Sequence, residues 1–169
     1  MSPKCITLIR HAKSSWDDPD LNDFQRPLNK RGRKNAPMMA EYCRTRIPSP
    51  DMIFCSDSVR TKETAIYFSD AWNLNETSIH YLHEIYEASL NGLLKAVATT
   101  NTKIQHLALI GHNPGMTSLY NYLAADHEIE NIPTCGVAHF DLQETSWENL
   151  IPRKAEMKCF ITPKMLEQG

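Results

Sequence analysis

The stretch Ile6-Thr7-Leu8-Ile9-Arg10-His11-Ala12 is an apolar run that ends in a charged pair near the N-terminus. A short apolar run of this kind is typical of a buried strand. Ligands of open α/β sheets bind at the carboxyl ends of the strands, and Arg10 and His11 follow such an end. The arrangement recurs where the apolar residues 107–110 precede Gly111 and His112. We therefore expect one site that contains the imidazoles of His11 and His112.

The size and composition of the chain favour an ordinary globular protein. Its 169 residues, of which 41% are hydrophobic, are enough for a single domain over residues 1–169. A net charge of -2 argues against binding to nucleic acid, and the apolar runs are too short to cross a membrane. The 5 cysteines are scattered without a CxxC pair, and no leader precedes the first strand, so we expect a cytoplasmic protein without disulfides.

Strands and helices alternate along the predicted chain. Strands are predicted at residues 5–10, 52–55, 79–82, 106–110 and 137–142 and within 147–160, with the last antiparallel at an edge. Helices are predicted at residues 29–46 and 58–72, after Ser89 and from about Pro114. Pro37 is expected to kink the first of these helices or to begin a new one. This order predicts a three-layer α/β/α sandwich around a mostly parallel sheet.

Arginines follow the predicted strands as well. Arg26 lies in the first long loop, Arg60 comes shortly after the second strand, and Arg10 precedes His11. Guanidinium groups bind tetrahedral oxyanions through paired, charge-assisted hydrogen bonds. If these three arginines converge, the pocket fits a phosphoryl group, and the helix that begins near Asn113 adds backbone N–H donors.

Two histidines in such a pocket have natural roles in phosphoryl transfer. One imidazole attacks phosphorus, and the other donates hydrogen bonds to the phosphoryl oxygens. Nearby cations disfavour the imidazolium form and leave the attacking nitrogen its lone pair. Phosphoryl transfer needs positioning and charge neutralisation, and no histidine, cysteine and carboxylate cluster shows metal-ligand spacing, so we expect no metal and no cofactor. The other histidines are interpreted as core, loop or solvent residues, and residues 134–136 as a turn.

These motifs resemble the histidine phosphatase superfamily, which has the phosphoglycerate-mutase-like fold. Arg10-His11-Ala12 is similar to its Arg-His-Gly signature, and Ser56, Arg60, Thr61 and Thr64 are similar to its second arginine motif. Within the superfamily the chain looks most like the short SixA-type phosphohistidine phosphatases. The segments that carry this likeness are Arg10 to Trp16, Arg26-Pro27-Leu28, Arg31-Gly32 and Gly111 to Gly115.

The resemblance implies a role for each matching residue. His11 is the nucleophile that carries the phosphoryl group, and Arg26 supports the pocket. Three further side chains bind the phosphoryl oxygens, namely Arg10, Arg60 and His112. Asn113 contributes its backbone N–H.

The family resemblance indicates the proton donor only by its position in the sequence. The acid of the family follows the third strand, which indicates Glu84, and Glu87 is close enough to be an alternative. Asp17 stands where the mutases of the superfamily carry a substrate-binding asparagine, and the chain lacks their additional lid. Both departures argue against a mutase.

Three functions remain open from the sequence. The first is a metal-independent phosphatase that removes phosphate from phosphohistidine in a protein. The second is a phosphatase of small phosphate monoesters such as sugar phosphates. The third is a non-catalytic phosphate-binding module. The partner is accordingly a phosphorylated protein or a small phosphorylated molecule.

Overall fold

A six-stranded sheet forms the centre of the molecule in a computed structural model that describes residues 3–168. The order of the strands across the sheet is β3-β2-β4-β1-β5-β6. Their bounds are β1 Cys5–Arg10, β2 Met52–Cys55, β3 Ile79–Tyr81, β4 His106–Gly111, β5 Val137–Asp141 and β6 Glu156–Ile161.

Helices cover both faces of this sheet. Their bounds are α1 Lys30–Arg46, α2 Val59–Ala71, α3 Leu90–Ala98, α4 Gly115–Leu123 and α5 Pro163–Glu167. Alternate residues of each strand point to opposite faces, so Leu8 packs in one apolar cluster with α3 and α4, and Ile9 packs in the other with α1 and α2. The predicted three-layer α/β/α fold is confirmed.

Five strands run in the same direction: β4 pairs in parallel with both β1 and β2, and β2 with β3, and β6 runs with them because it is antiparallel to the reversed strand β5. The reversed strand is β5, which pairs antiparallel with β1. The edge strand β6 is antiparallel to its neighbour β5, as expected for the edge. The carboxyl ends of β1, β2 and β4 therefore meet at one end of the sheet, where the predicted site residues follow them.

Three local features were left open or not predicted by the sequence. Pro37 lies inside a continuous helix α1 and does not begin a second one. The predicted segment 147–160 contains most of β6, which covers Glu156–Ile161, whereas Trp147 is a buried core residue whose indole Nε1 donates to the Ile104 carbonyl. The short helix α5, which Thr162 caps, was not predicted. Among the described residues, no helix has both the length and the apolar character needed to cross a bilayer.

Candidate active site

His11 follows the last residue of β1 and is held by the backbone around it. Its backbone N–H donates to the Gly111 carbonyl at the end of β4. Its ring Nδ1 lies 2.7 Å from the Ala12 carbonyl oxygen. Because a carbonyl can only accept, Nδ1 carries the proton of the neutral ring, and Nε2 keeps its lone pair. The side chain is 8% exposed, so this nitrogen is presented in a largely enclosed place.

The environment of His11 keeps its imidazole neutral. Burial, together with His112, Arg60 and Arg10, lowers the pKa of His11 to about 3, against the opposing hydrogen bond to Ala12. The pKa of His11 is therefore shifted in the expected direction, but burial contributes more to the shift than the nearby cations do. A ring that is neutral throughout the physiological range has a lone pair available for attack on phosphorus.

Arg60 links the two histidines from the first turn of α2. Its Nε lies 3.4 Å from His11 Nε2, and its Nη2 lies 3.2 Å from His112 Nδ1. The same guanidinium donates through Nη1 to the Asp23 carbonyl and through Nη2 to the Asp23 carboxylate. Arg60 is 4% exposed, so its charge is balanced by protein groups rather than by solvent.

His112 faces His11 with a ring-centroid distance of 5.2 Å. Its Nε2 lies 2.7 Å from the Ser56 hydroxyl oxygen, and Ser56 is fully buried after β2. Since the Arg60 guanidinium is a donor only, His112 Nδ1 accepts, and Nε2–H donates to Ser56. Burial, together with Arg60, lowers the pKa of His112 to about 4. Both ring nitrogens thus have protein partners.

Arg10 reaches the same pocket from the end of β1. Its Nη1 donates to the Ile132 carbonyl at 2.8 Å, while its Nε is buried without a hydrogen-bond partner among the described residues. Burial and the nearby Arg60 lower the pKa of Arg10. The guanidinium groups of Arg10 and Arg60 repel each other, so an anion bound between them would be stabilised.

Arg26 closes the pocket from the first long loop. Its guanidinium donates to the Ser15 carbonyl, the Ser14 hydroxyl and the Asp23 carboxylate. The indole of Trp16 lies over it at 3.2 Å from guanidinium carbon to ring centroid, and Trp16 itself is 74% exposed. The three arginines expected at the site are therefore brought together.

A cavity of about 190 Å³ opens onto His11 and the three arginines, whereas His112 is not among its lining residues. Its lining comprises Arg10, His11, Lys13, Ser14, Trp16, Arg26, Arg60 and Thr134. Thr134 belongs to the segment interpreted as a simple turn, so that turn also forms part of the rim. The lining carries four cationic side chains and no carboxylate, which suits a small anion.

The two carboxylates expected as proton donors lie elsewhere. Glu84 is exposed in the 3₁₀ turn His83–Ile85, and Glu87 is exposed just beyond it. The carboxylate nearest the arginines is Asp23, which also accepts from the Tyr86 hydroxyl. Tyr86, Arg60 and Arg26 lower the pKa of Asp23 to about 2, although partial burial opposes them. Asp23 is therefore ionised at neutral pH in this arrangement.

Asn113 stabilises the loop that joins β4 to α4. Its side-chain Nδ2 donates to Asn131 Oδ1 and to the Ile132 carbonyl, and its Oδ1 accepts from both the backbone and the hydroxyl of Thr117. The backbone N–H of Thr117, in the first turn of α4, therefore donates to Asn113 and is not directed to the cavity.

Sequence reasoning assigned no role to several residues that complete the site. Asp23 and Tyr86 lie far apart in the chain, and nothing in their local sequence indicates that they meet. Thr64 is different, because it belongs to the second arginine motif, and its hydroxyl accepts from the Ala12 backbone N–H next to His11. Ser56 belongs to that motif too. Both could have been assigned from the motif spacing.

Comparison with known proteins identifies the family of this chain. A family model of the histidine phosphatase superfamily (branch 1) matches residues 6–112, which include His11, Arg60 and His112. An uncharacterized chloroplastic protein of Arabidopsis thaliana is 30% identical over 151 residues, which cover 85% of this chain and 68% of the relative.

Solved structures share the fold over nearly the whole chain. The SixA protein of Agrobacterium tumefaciens superposes with a TM-score of 0.82 at 28% identity, covering 96% of this chain and 100% of its own. A mycobacterial glucosyl-3-phosphoglycerate phosphatase superposes with a TM-score of 0.67 at 11% identity over 92% of this chain and 98% of its own, which shows a shared fold. The chain belongs to the histidine phosphatase superfamily and has a SixA-like fold.

Proposed function

We propose that this protein is a phosphatase that forms a phosphohistidine intermediate on His11. The observation that carries the proposal is the orientation of His11, whose Nδ1–H is bound to the Ala12 carbonyl. That bond leaves Nε2 as the attacking atom, at a cavity lined by Arg10, Arg26 and Arg60. Nucleophilic catalysis by a neutral imidazole needs this arrangement.

The reaction has two balanced steps. In the first, Nε2 of His11 forms a bond to phosphorus while the bond to the leaving group breaks, and the leaving group takes a proton from the water that fills the open cavity. In the second, water attacks the phosphohistidine, the N–P bond breaks, and orthophosphate is released. The arginines neutralise the phosphoryl oxygens in both steps, which is the main requirement of phosphoryl transfer.

Binding of an anion changes the partners of Arg60. A phosphoryl oxygen that accepts from Arg60 Nη2 replaces His112 Nδ1 as its partner. His112 can then turn a ring N–H towards the phosphoryl group, which is the role that the family resemblance implies. The Ser56 hydroxyl, which can donate or accept, suits either state of that ring.

We further propose that the substrate is phosphohistidine in a protein. The described cavity lining contains no carboxylate, and a protonated imidazole leaves phosphorus without the strong proton donor that an alkoxide needs. Trp16 lines this cavity and is itself exposed, so the surface of another protein can contact the rim directly. The SixA protein of Agrobacterium tumefaciens, similar in fold, is described as a candidate phosphohistidine phosphatase.

The test uses a protein phosphorylated on histidine with phosphoramidate as the substrate. We expect release of orthophosphate and an acid-labile phosphoenzyme after a rapid quench. His11→Ala should lose both, while His127→Ala, which changes an exposed loop histidine, should keep both. Binding of orthophosphate by the wild-type protein without turnover of any phosphorylated substrate would instead identify a non-catalytic phosphate-binding module.

Small phosphate monoesters are the second candidate substrates, because a glucosyl-3-phosphoglycerate phosphatase has the same fold. Ester hydrolysis requires a proton donor, and general acid catalysis contributes about 10²–10⁴-fold. If Glu84 supplies the proton after movement of its turn, Glu84→Gln should reduce ester hydrolysis and spare phosphohistidine hydrolysis. Glu87→Gln, which changes the other exposed carboxylate of this segment, is the matched variant, and kcat/KM is measured on both substrates. Equal losses of kcat/KM on both substrates would contradict the role of Glu84 as the proton donor for ester hydrolysis.

A further inference from the structure

We propose that Cys5, His139 and Asp141 form a binding site for Zn²⁺ or a similar borderline-soft divalent cation. The three residues lie at the amino end of β1, whereas the candidate active site follows its carboxyl end. Their potential ligand atoms all lie within 4.8 Å of one another. No linear spacing indicates this cluster, because its members come from two strands that are distant in sequence.

The register of the β1–β5 ladder places the three side chains on one face. Cys5 is opposite Asp141, and Thr7 is opposite His139. Because residues two apart in a strand share a face, all four side chains form one patch on neighbouring strands. Side chains that face each other in an antiparallel pair have Cβ atoms about 4.5–5.5 Å apart. The backbone thus fixes the separation of the ligands.

The distances are close to those of a tetrahedral zinc site. Bonds of about 2.0–2.3 Å to sulfur, nitrogen and oxygen imply ligand atoms about 3.3–3.6 Å apart. His139 Nε2 and Asp141 Oδ1 are 3.9 Å apart. Asp141 is exposed and Cys5 is half-buried, so rotation of these two side chains can close the remaining gap of about 1.5 Å or less.

A hydrogen bond already orients His139 for this role. The Thr7 hydroxyl lies 2.8 Å from His139 Nδ1 and 2.7 Å from His106 Nε2. If Nδ1–H donates to Thr7, the hydroxyl donates on to His106, and His139 Nε2 presents its lone pair towards Cys5 and Asp141. Histidines that bind metals usually have their other ring nitrogen held in this way.

The surrounding charges and the donor set define the cation. Cys5 is half-buried opposite the Asp141 carboxylate, and a divalent cation that displaces the thiol proton would balance both negative charges. The positive charge of Lys158, which lies near His139, opposes the binding of a cation. A sulfur, nitrogen and oxygen donor set favours zinc over magnesium or calcium, which prefer oxygen alone. The exposed side of Asp141 leaves water as the fourth ligand.

The site is independent of the proposed phosphatase chemistry. β1 spans about 20 Å from Cys5 to His11 at about 3.3 Å per residue, so a cation there is too far away to touch the phosphoryl group. It would join β1 to β5 and stabilise the folded state by mass action. Loss of cation binding and loss of phosphatase activity are therefore separable outcomes.

The test is titration of the full chain, without an affinity tag, with Zn²⁺ and Co²⁺. We expect a single cation per chain, a thiolate-to-cobalt charge-transfer band and a higher Tm with Zn²⁺. Cys5→Ser should abolish the band, and the exposed change Asp141→Asn should weaken Zn²⁺ binding by about tenfold or more. Thr7→Val should weaken it to a smaller extent.

Two controls separate this site from others that could bind metal. His127→Ala alters an exposed loop histidine, and His11→Ala alters the candidate active site. Both should retain the wild-type affinity. The proposal is overturned if the wild type binds no stoichiometric cation, or if Cys5→Ser and Asp141→Asn bind as well as the wild type does.

Discussion

A single backbone carbonyl determines which nitrogen of His11 can react. The Ala12 carbonyl accepts from Nδ1, which leaves Nε2 at the cavity without a proton. Ala12 itself lacks a positive φ, so alanine is tolerated where the family signature has glycine. The reactivity proposed for His11 therefore depends on a main-chain contact that side-chain motifs do not specify.

Buried neutral histidines also make stability depend on pH. Burial lowers the pKa of His106 to about 4, whereas the unfolded chain protonates near pH 6.5. The unfolded state thus binds more protons between these values, and the free energy of unfolding falls as pH falls through this window. His106→Gln should remove part of this drop, by no more than about 3 kcal/mol.

Urea unfolding at about pH 7.5 and about pH 4.5, with a chelator present, measures this effect. His127→Gln is the control, because His127 is exposed in a loop, and it should leave the drop unchanged. A drop that is the same in His106→Gln and the wild type would contradict the assignment to His106.

At the scale of elements, helix α1 positions the loop that carries His11. Asn29 caps the helix by accepting from the Gly32 N–H, and the Asn29 backbone N–H donates to the Lys13 carbonyl. The chain at Gly32 lies so close to Lys13 that a Cβ atom there would collide with the same carbonyl oxygen. Glycine is needed here for close approach rather than for a turn.

Gly32→Ala should therefore move α1 away from residues 11–14. We expect a loss of at least about 1 kcal/mol of stability from overpacking and a fall of about 10²-fold in kcat/KM from displacement of His11. Gly92→Ala is the matched control in α3, where the added Cβ lies 3.3 Å from Ala88 Cβ. It should change stability by less than about 1 kcal/mol and leave kcat/KM unaltered.

Urea unfolding and steady-state kinetics on both variants measure these effects. Equal behaviour of Gly32→Ala and Gly92→Ala would show that the contact with Lys13 does not position His11.

At the scale of the whole molecule, the sheet separates two groups of polar residues. The carboxyl ends of β1, β2 and β4 gather the histidines and arginines, and the amino end of β1 carries Cys5 beside His139 and Asp141. Because no metal takes part in the proposed reaction, EDTA should leave kcat unchanged while it lowers the Tm of zinc-loaded protein. Kinetics and thermal unfolding, with and without EDTA, test both parts. A loss of kcat restored by Zn²⁺ would contradict the metal-independent reaction.

Local pattern alone determined the alternating elements, the placement of His11 and His112 at strand ends, and the arginines that line the cavity. These features depend on apolar runs, periodicity and motif spacing, which neighbouring residues specify. Only the tertiary structure showed that Asp23 and Tyr86 complete the site, that Glu84 lies outside the cavity, and that Pro37 is accommodated within one helix. It alone placed His139, interpreted from sequence as an unremarkable residue, beside Cys5. The physical reason is that these contacts join residues distant in sequence, through strand register and loop packing, and local pattern does not encode either.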